Sequence, residues 1–484
     1  MADIALPRST PSDQGVSSTG IGAFLDTMDT APDIELHSLM LLRHGQVLAE
    51  GWWAPYAADQ VHLLYSLSKS FTSTAAGLAA AEGLLSFDDP VISYFPELAD
   101  EVTHPWTRSM QIRHLAAMAT GHHEDTLERA TRIDRTEPVR GFLALDPDAE
   151  PGSVFAYNNG ATYTLGAIVQ RATGQPLTDY LRPRLLDPLG IEQAYWHTHP
   201  GDRELGFSGF HLTTESIAHF GQLYLDQGVW QGAELLPEGW VAEASRQHTP
   251  NPAEPNPDWQ QGYGYQFWRS RHGYRGDGAY GQFCLVLPEQ DAVLVTTAQT
   301  ENMQGILDAV WAHLLPAFDT ATPEADPALA SRLTQLALPV GAGLVAGVGP
   351  DYNAVIRVNS LEPEPDGGWR LTLTDGTVEL SLPCGADRWL RSSHALAGDR
   401  QLELAASGQA SGQTVTVQLV FVATPHRLVL VVDSETGTGA GRWQTIPLHA
   451  PTLTGLATGP GLAEHRHGQA AQGQQDAVGD PHRG

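Results

Sequence analysis

The chain has 484 residues, enough for more than one domain, and sets 56 acidic side chains against 27 basic ones for a formal charge of −29. That excess repels nucleic-acid phosphates and anionic lipid headgroups, and neither a signal-like leader nor an apolar run of about 18 residues occurs, so a cytoplasmic protein without nucleic-acid or membrane partners is expected. Cys284 and Cys384 lie a hundred residues apart and predict core positions, not a disulfide framework or a zinc knuckle.

In chain order, a helix is predicted around Ile21 to Met28. Two apolar runs in "LHSLMLLRHGQVLAEGWW", joined through His44-Gly45, read as a β-hairpin. In "LLYSLSKSFTSTAAGL", Leu67, Phe71, Ala75 and Leu78 fall on one helical stripe, and the many small residues suit a tightly packed internal helix. Ser66 stands at its N-terminus. "ATYTLGAIVQRATG" reads as a second helix, with Leu165, Ile168 and Val169 at helical spacing and Gly174 as its stop. Strand patterns follow in "YGYQFWRS", "QFCLVLPE" and "AVLVTTAQ", then a helix through "MQGILDAVWAHLL". Strands at both ends with helices between predict an α+β domain over residues 1–318, one antiparallel sheet flanked by helices. Residues 319–328 are polar and proline-marked and read as a linker. Residues 329–451 alternate around turns such as Asp375-Gly376 and read as a small all-β domain. Residues 452–484 read as a disordered tail.

The chemistry centres on the chain's single lysine. Residues three apart share a helix face, so the Lys69 amine can reach the Ser66 hydroxyl. A serine becomes a nucleophile when a base takes its proton, and lysine can be that base once burial depresses its pKa, whereas arginine stays protonated. The free N–H groups at the helix start favour negative charge developing beside Ser66.

A second motif, Tyr157-x-Asn159, lies within "PGSVFAYNNG" and ahead of "PLG". Together with Ser66-x-x-Lys69 it resembles the class C β-lactamase family of serine hydrolases, which is similar in fold to penicillin-binding proteins and includes esterases, D-amino-acid peptidases and 6-aminohexanoate-dimer hydrolases. The resemblance covers about Gly20 to Phe318. It implies a penicillin-binding-protein-like fold with an all-helical region, and an acyl-enzyme formed on Ser66 with Lys69 sharing its proton. Tyr157, as phenolate or through a relayed proton, would activate Ser66 and then the deacylating water. Asn159 would orient Lys69 and a substrate carbonyl; the weaker alternative is a turn residue beside Gly160.

The family's third motif is a strand of Lys or His, Thr or Ser, then Gly. Its match here is Gly276, Asp277 and Gly278, which lacks the cation. Gly278 would let backbone approach substrate, and the N–H of Ala279 would join that of Ser66 as an oxyanion hole. Arg275 is expected on the opposite strand face from Gly276, and Asp277 either faces the cleft, where it would hold an ammonium, or makes a structural hydrogen bond. In β-lactamases that cation helps bind the antibiotic's carboxylate, so its absence here weighs against β-lactam turnover without deciding it.

The leading expectation is therefore a serine hydrolase cleaving a small ester or amide. A β-lactamase, a D-alanyl-D-alanine carboxypeptidase and a non-turnover penicillin sensor are alternatives. No G-x-S-x-G surrounds Ser66, against an α/β-hydrolase. Two histidine clusters, His197 with His199 and His122, His123, Glu124, Asp125, lack metallohydrolase spacing, and neither metal nor cofactor is expected. Every candidate group precedes Phe318, so the β domain is expected to be separable from the chemistry.

Overall fold

The computed structural model describes residues 5–199, 202–340, 355–398 and 400–459. Helix α1 (Ser18–Thr30) is capped by the Ser17 side chain, which accepts from the Gly20 N–H. The hairpin β1 (Glu35–Arg43) and β2 (Gln46–Trp52) turns through His44 and Gly45, whose φ values of 51° and 71° give the left-handed bend that suits strand twist. Helices α2 (Ser68–Ala81), α3 (Asn159–Thr173) and α4 (Thr214–Leu225) follow. The chain then returns to the sheet as β3 (Trp268–Arg269), β4 (Tyr274–Gly278), β5 (Gln282–Leu287) and β6 (Ala292–Gln299), and continues into α5 (Met303–Ala309).

These strands form the expected antiparallel sheet from both ends of the segment, in the order β3-β4-β5-β6-β1-β2. Alternation along each strand makes two cores. Met40, Leu42, Val286, Val293 and Val295 pack with α2, α3 and α4, whereas Leu39, Leu41, Leu285 and Leu294 pack with α1 and α5.

Helix α2 is rich in small residues because its neighbours approach closely. Gly77 lies against Trp240, where a Cβ would stand 2.5 Å from the indole. The buried hydroxyls of Ser70, Thr72 and Ser73 donate to the carbonyls of Gln266, Gly206 and Tyr265 at 2.7–2.9 Å, so none of these three hydroxyls is stranded by the packing.

The segment 319–328, expected as a linker, is instead fastened to the first domain. Arg43 pairs with Asp319 at 2.7 Å. Helix α6 (Asp326–Leu333) begins at Asp326, which accepts from the hydroxyls of Ser12 and Ser18. Leu333 and Leu336 cover Gly51 of β2, and Ala54 exchanges backbone hydrogen bonds with Leu336 and Leu338. Residues 329–338 therefore pack on the first sheet and not in the β domain.

The β domain proper comprises β7 (Arg357–Pro363), β8 (Trp369–Thr374), β9 (Glu379–Ala386), β10 (Leu390–Leu396), β11 (Arg400–Ser411), β12 (Thr414–Phe421), β13 (Arg427–Asp433) and β14 (Gly439–Trp443). Its sheet runs β7-β8-β9-β11-β12-β13-β14, with β10 also paired to β11. The Asp375 carboxylate accepts from the Thr377 and Val378 N–H groups, fixing the predicted turn. The expected tail begins as structure. Leu453, Leu456 and Ala457 are buried in the β-domain core and Thr458 pairs with Gln401, while 460–484 lie outside the described residues. Both cysteines are free and buried. Among the described residues no helix is long and apolar enough to cross a membrane.

Candidate active site

A short 3-10 turn, Tyr65–Leu67, leads into α2, so Ser66 sits at a helix entrance and is partly exposed. One turn on, Lys69 is 1% exposed, and its amine meets three oxygens: Ser66 Oγ at 2.9 Å, Asn159 Oδ1 at 2.7 Å and the Phe207 carbonyl at 2.9 Å. Burial lowers the Lys69 pKa to about 7, against the opposing charges of Asp125 and Asp277. A neutral amine has two hydrogens and one lone pair. Asn159 Oδ1 and the Phe207 carbonyl can only accept, so they take the hydrogens and leave the lone pair facing the Ser66 hydroxyl.

Asn159 opens helix α3, whose N-cap is Asn158, accepting from the Ala161 N–H at 3.2 Å. The Asn159 amide is oriented by Asp125. Asp125 Oδ2 takes its Nδ2 hydrogen at 2.6 Å, and Oδ1 takes its backbone N–H at 2.9 Å. The carboxylate thus sits at the positive end of α3 and turns Asn159 Oδ1 toward Lys69.

Tyr157 is hydrogen-bonded to Ser66, and its ring lies 4.8 Å from Lys69 Nζ. Stacking on Trp268, with centroids 5.4 Å apart, fixes the ring. Burial raises the Tyr157 pKa well above its ordinary value; the Ser66 hydrogen bond opposes this, and Asp277, Asp125 and Glu254 add to it. The phenolate expected as one option is therefore disfavoured, leaving a neutral hydroxyl that can relay a proton.

Strand β4 passes directly behind the Ser66 turn. A Cβ at Gly278 would stand 2.0 Å from the Leu64 carbonyl, and one at Gly276 would stand 2.3 Å from Leu67 Cδ1. Both glycines thus permit the close approach of strand to helix. That approach brings Ala279, partly exposed, into contact with Leu63, Tyr65 and Tyr280.

Arg275 and Asp277 share the opposite face of β4. Arg275 is 0% exposed, with Nε donating to Asp277 Oδ2 at 2.9 Å and Nη1 to Ser270 Oγ at 2.6 Å, and its guanidinium lies 4.2 Å from the Trp259 ring centre. It does not replace the missing strand cation. Asp277 makes the structural pair with Arg275, while its charge still reaches Lys69 and Tyr157.

Two parts of the site were not read from the sequence. Asp125 appeared only within a histidine-rich cluster; its pairing with Asn159, 34 residues on, is created by tertiary folding. The Phe207 carbonyl is backbone and has no sequence signature. The histidine clusters are scattered. His122 bonds Thr120 and the Leu145 carbonyl, and among the described residues no group of three or more His, Cys, Asp or Glu side chains is arranged to hold a metal.

Nor is the β domain separate from this region. Leu63 donates its N–H to the Ala423 carbonyl at 2.8 Å and Tyr56 its hydroxyl to the Thr424 carbonyl at 3.1 Å. Buried Arg427 pairs with Glu35 of β1.

The sheet flanked by helices thus carries a serine and a buried lysine one helical turn apart, and the family to which the chain belongs makes it a serine hydrolase. The chain belongs to the β-lactamase family, whose profile, described as Beta-lactamase, matches residues 26–315. It is similar to a 6-aminohexanoate-dimer hydrolase of Paenarthrobacter ureafaciens, 27% identical over 303 residues, covering 56% of this chain and 76% of that one. Esterase EstB of Burkholderia gladioli is 29% identical over 174 residues, 33% of this chain and 44% of EstB. A candidate β-lactamase from Bacteroides dorei DSM 17855 shares the fold, with a TM-score of 0.53 at 15% identity over 62% of this chain and 99% of that one.

Proposed function

We propose that Ser66 is the nucleophile of a class C-type acyl transfer and that Lys69 is its base. The carrying observation is the three-oxygen cradle of a buried amine with its pKa lowered to about 7. Ser66 Oγ attacks the substrate carbonyl while its proton passes to the Lys69 lone pair. The tetrahedral oxyanion is met by the N–H groups of Ser66 and Ala279. Lys69 then returns the proton through the Tyr157 hydroxyl to the leaving oxygen or nitrogen, and the carbonyl re-forms as an acyl-enzyme. Water, deprotonated over the same relay, releases the acid and regenerates Ser66.

The substrate in this reading is a neutral or amine-bearing small ester or amide. The strand position where the resemblance puts a cation is Gly276, turned onto Leu67, and the negative charges of Asp277, Asp125 and Glu254 all act on Tyr157. A substrate carboxylate finds no free cation among these residues.

Mass spectrometry of intact protein exposed to an activated ester, a fluorophosphonate and a penicillin tests this. Expected are a transient acyl adduct and a permanent phosphonyl adduct, both mapped to Ser66, with no penicillin turnover. A stable penicilloyl adduct without turnover would mark a sensor, and a label on another residue would overturn the assignment.

A further inference from the structure

Two tyrosines bracket the candidate oxyanion hole. Tyr65 immediately precedes Ser66 and Tyr280 immediately follows Ala279, and both have left-handed backbone, with φ of 48° and 70°. Such a conformation persists in a non-glycine residue only where its surroundings hold it. The two rings meet edge to face, with centroids 5.5 Å apart, and Ala279 packs against them.

Both hydroxyls end on the β domain. Tyr280 donates to the Ile446 carbonyl at 2.8 Å. Tyr65 meets His426 Nε2 at 2.5 Å and the Leu448 N–H at 3.2 Å. The sense of these bonds follows from the partners. His426 Nδ1 faces the Thr445 carbonyl at 3.1 Å and carries the ring hydrogen, so Nε2 is bare and accepts from the Tyr65 hydroxyl. The Tyr65 oxygen in turn accepts from Leu448. A third tie joins His449 Nε2 to Ser208 Oγ at 2.9 Å, next to the Phe207 carbonyl that receives Lys69. Each part of the site, the nucleophile, the second N–H donor and the lysine cradle, thus has a chain neighbour fastened to the five residues Thr445–His449 or to His426 beside them.

We propose that the β domain pre-organises the oxyanion hole, with Tyr65 and Tyr280 as positioning residues that its segment Thr445–His449 and His426 hold in place. Oxyanion donors are effective only when aimed before charge develops. Relaxation at Tyr65 turns the peptide that carries the Ser66 N–H, and relaxation at Tyr280 shifts Ala279. The proposal rests on the reading of Ser66 as nucleophile.

Full-length Tyr65→Phe, Tyr280→Phe and the double variant keep the rings and remove only the tethers. With p-nitrophenyl acetate, the double variant is expected to lose about 10- to 100-fold in kcat with KM within about twofold, because the lost stabilisation belongs to the transition state. Infrared difference spectra of the acyl-enzyme, formed with a carbonyl-labelled ester, supply a signature that packing alone does not move. The wild type should show one low-frequency carbonyl band, and the variants a band shifted upward or split. The singles act on different N–H groups, so either one suffices if the other fails to fold. Unchanged kcat and an unchanged band, with only a lowered Tm, would overturn the proposal and leave a docking contact. Absence of an adduct on Ser66 in the unmutated protein would overturn the nucleophile assignment and this proposal with it, and is told apart because no variant is involved.

Discussion

Asp125 and Asn159 are locked by two hydrogen bonds, through the Asn159 side-chain amide at 2.6 Å and its backbone N–H at 2.9 Å, so the amide oxygen can face only Lys69. In Asp125→Asn that orientation is no longer forced. Loss of a charge-assisted hydrogen bond of this kind corresponds to about a 10- to 100-fold fall in kcat. Asp125 also opposes the lowering of the Lys69 pKa by burial, so its loss should move the acid limb of the kcat/KM profile to lower pH. Steady-state kinetics from pH 5 to 9 check both.

Lys69→Arg should be nearly as inactive as Lys69→Ala, down about 10²- to 10⁴-fold, since the role assigned to Lys69 is to accept a proton. Wild-type kcat/KM should rise with pH through about 7, where Lys69 loses its proton. A flat profile between pH 6 and 8 would remove Lys69 as the base.

The same lysine has a pH-dependent cost in stability. Its folded pKa lies well below the ordinary lysine value, so between about pH 7 and 10 the unfolded chain binds the extra proton and stability rises with pH. Below pH 7 both states are protonated and the folded state bears the full desolvation cost. Urea unfolding of wild type against Lys69→Met should show the wild type gaining relative stability between pH 7 and 10.

Burial alone would raise the Glu35 carboxyl, and the Arg427 guanidinium with His37 more than offsets it, holding the pKa below its ordinary value. Arg427→Leu removes the stronger of its two partners across the domain interface and should destabilise by about 3–5 kcal/mol. The deficit should narrow toward acid pH, where protonation removes the charge, and Glu35→Gln in the same background should recover much of it. Denaturation of the two single variants and the double variant closes the cycle.

Matched p-nitrophenyl esters should be hydrolysed in the order cationic or neutral ahead of anionic. Asp277→Asn removes the ion-pair partner of the buried Arg275 guanidinium and a negative charge felt in the site, so it should narrow the disadvantage of the anionic ester while lowering Tm. Equal kcat/KM for all three esters in the wild type would discard the charge argument.

Ser66, Lys69, Tyr157 and Asn159 were legible because the first two are one helical turn apart and the others stand two apart at a helix start, so local geometry brings each pair together. Asp125 and the Phe207 carbonyl reach the same point only when distant loops close. The β-domain strands were legible through alternation and the Asp375-Gly376 turn. Their attachment was not, because His426 and Arg427 read as polar strand residues while their partners Tyr65 and Glu35 lie more than 360 residues earlier. The "TPEADP" stretch reads as a linker by composition. Its Asp326 and Pro327 are equally a helix start, and Leu329 and Leu333 supply the face that packs.

Strand β1 lies between β2, its hairpin partner, and β6, whose residues 292–299 emerge from the ribosome some 250 residues later. The central sheet therefore cannot close early in translation, and contacts of such sequence separation form slowly. The tethers on Tyr65 and Tyr280 come later still, from residues 426 to 448. On this topology the Tyr65 ring waits for His426, 361 residues further along the chain, so the candidate site and the contacts that reach it from the β domain cannot assemble together until that later segment has been made.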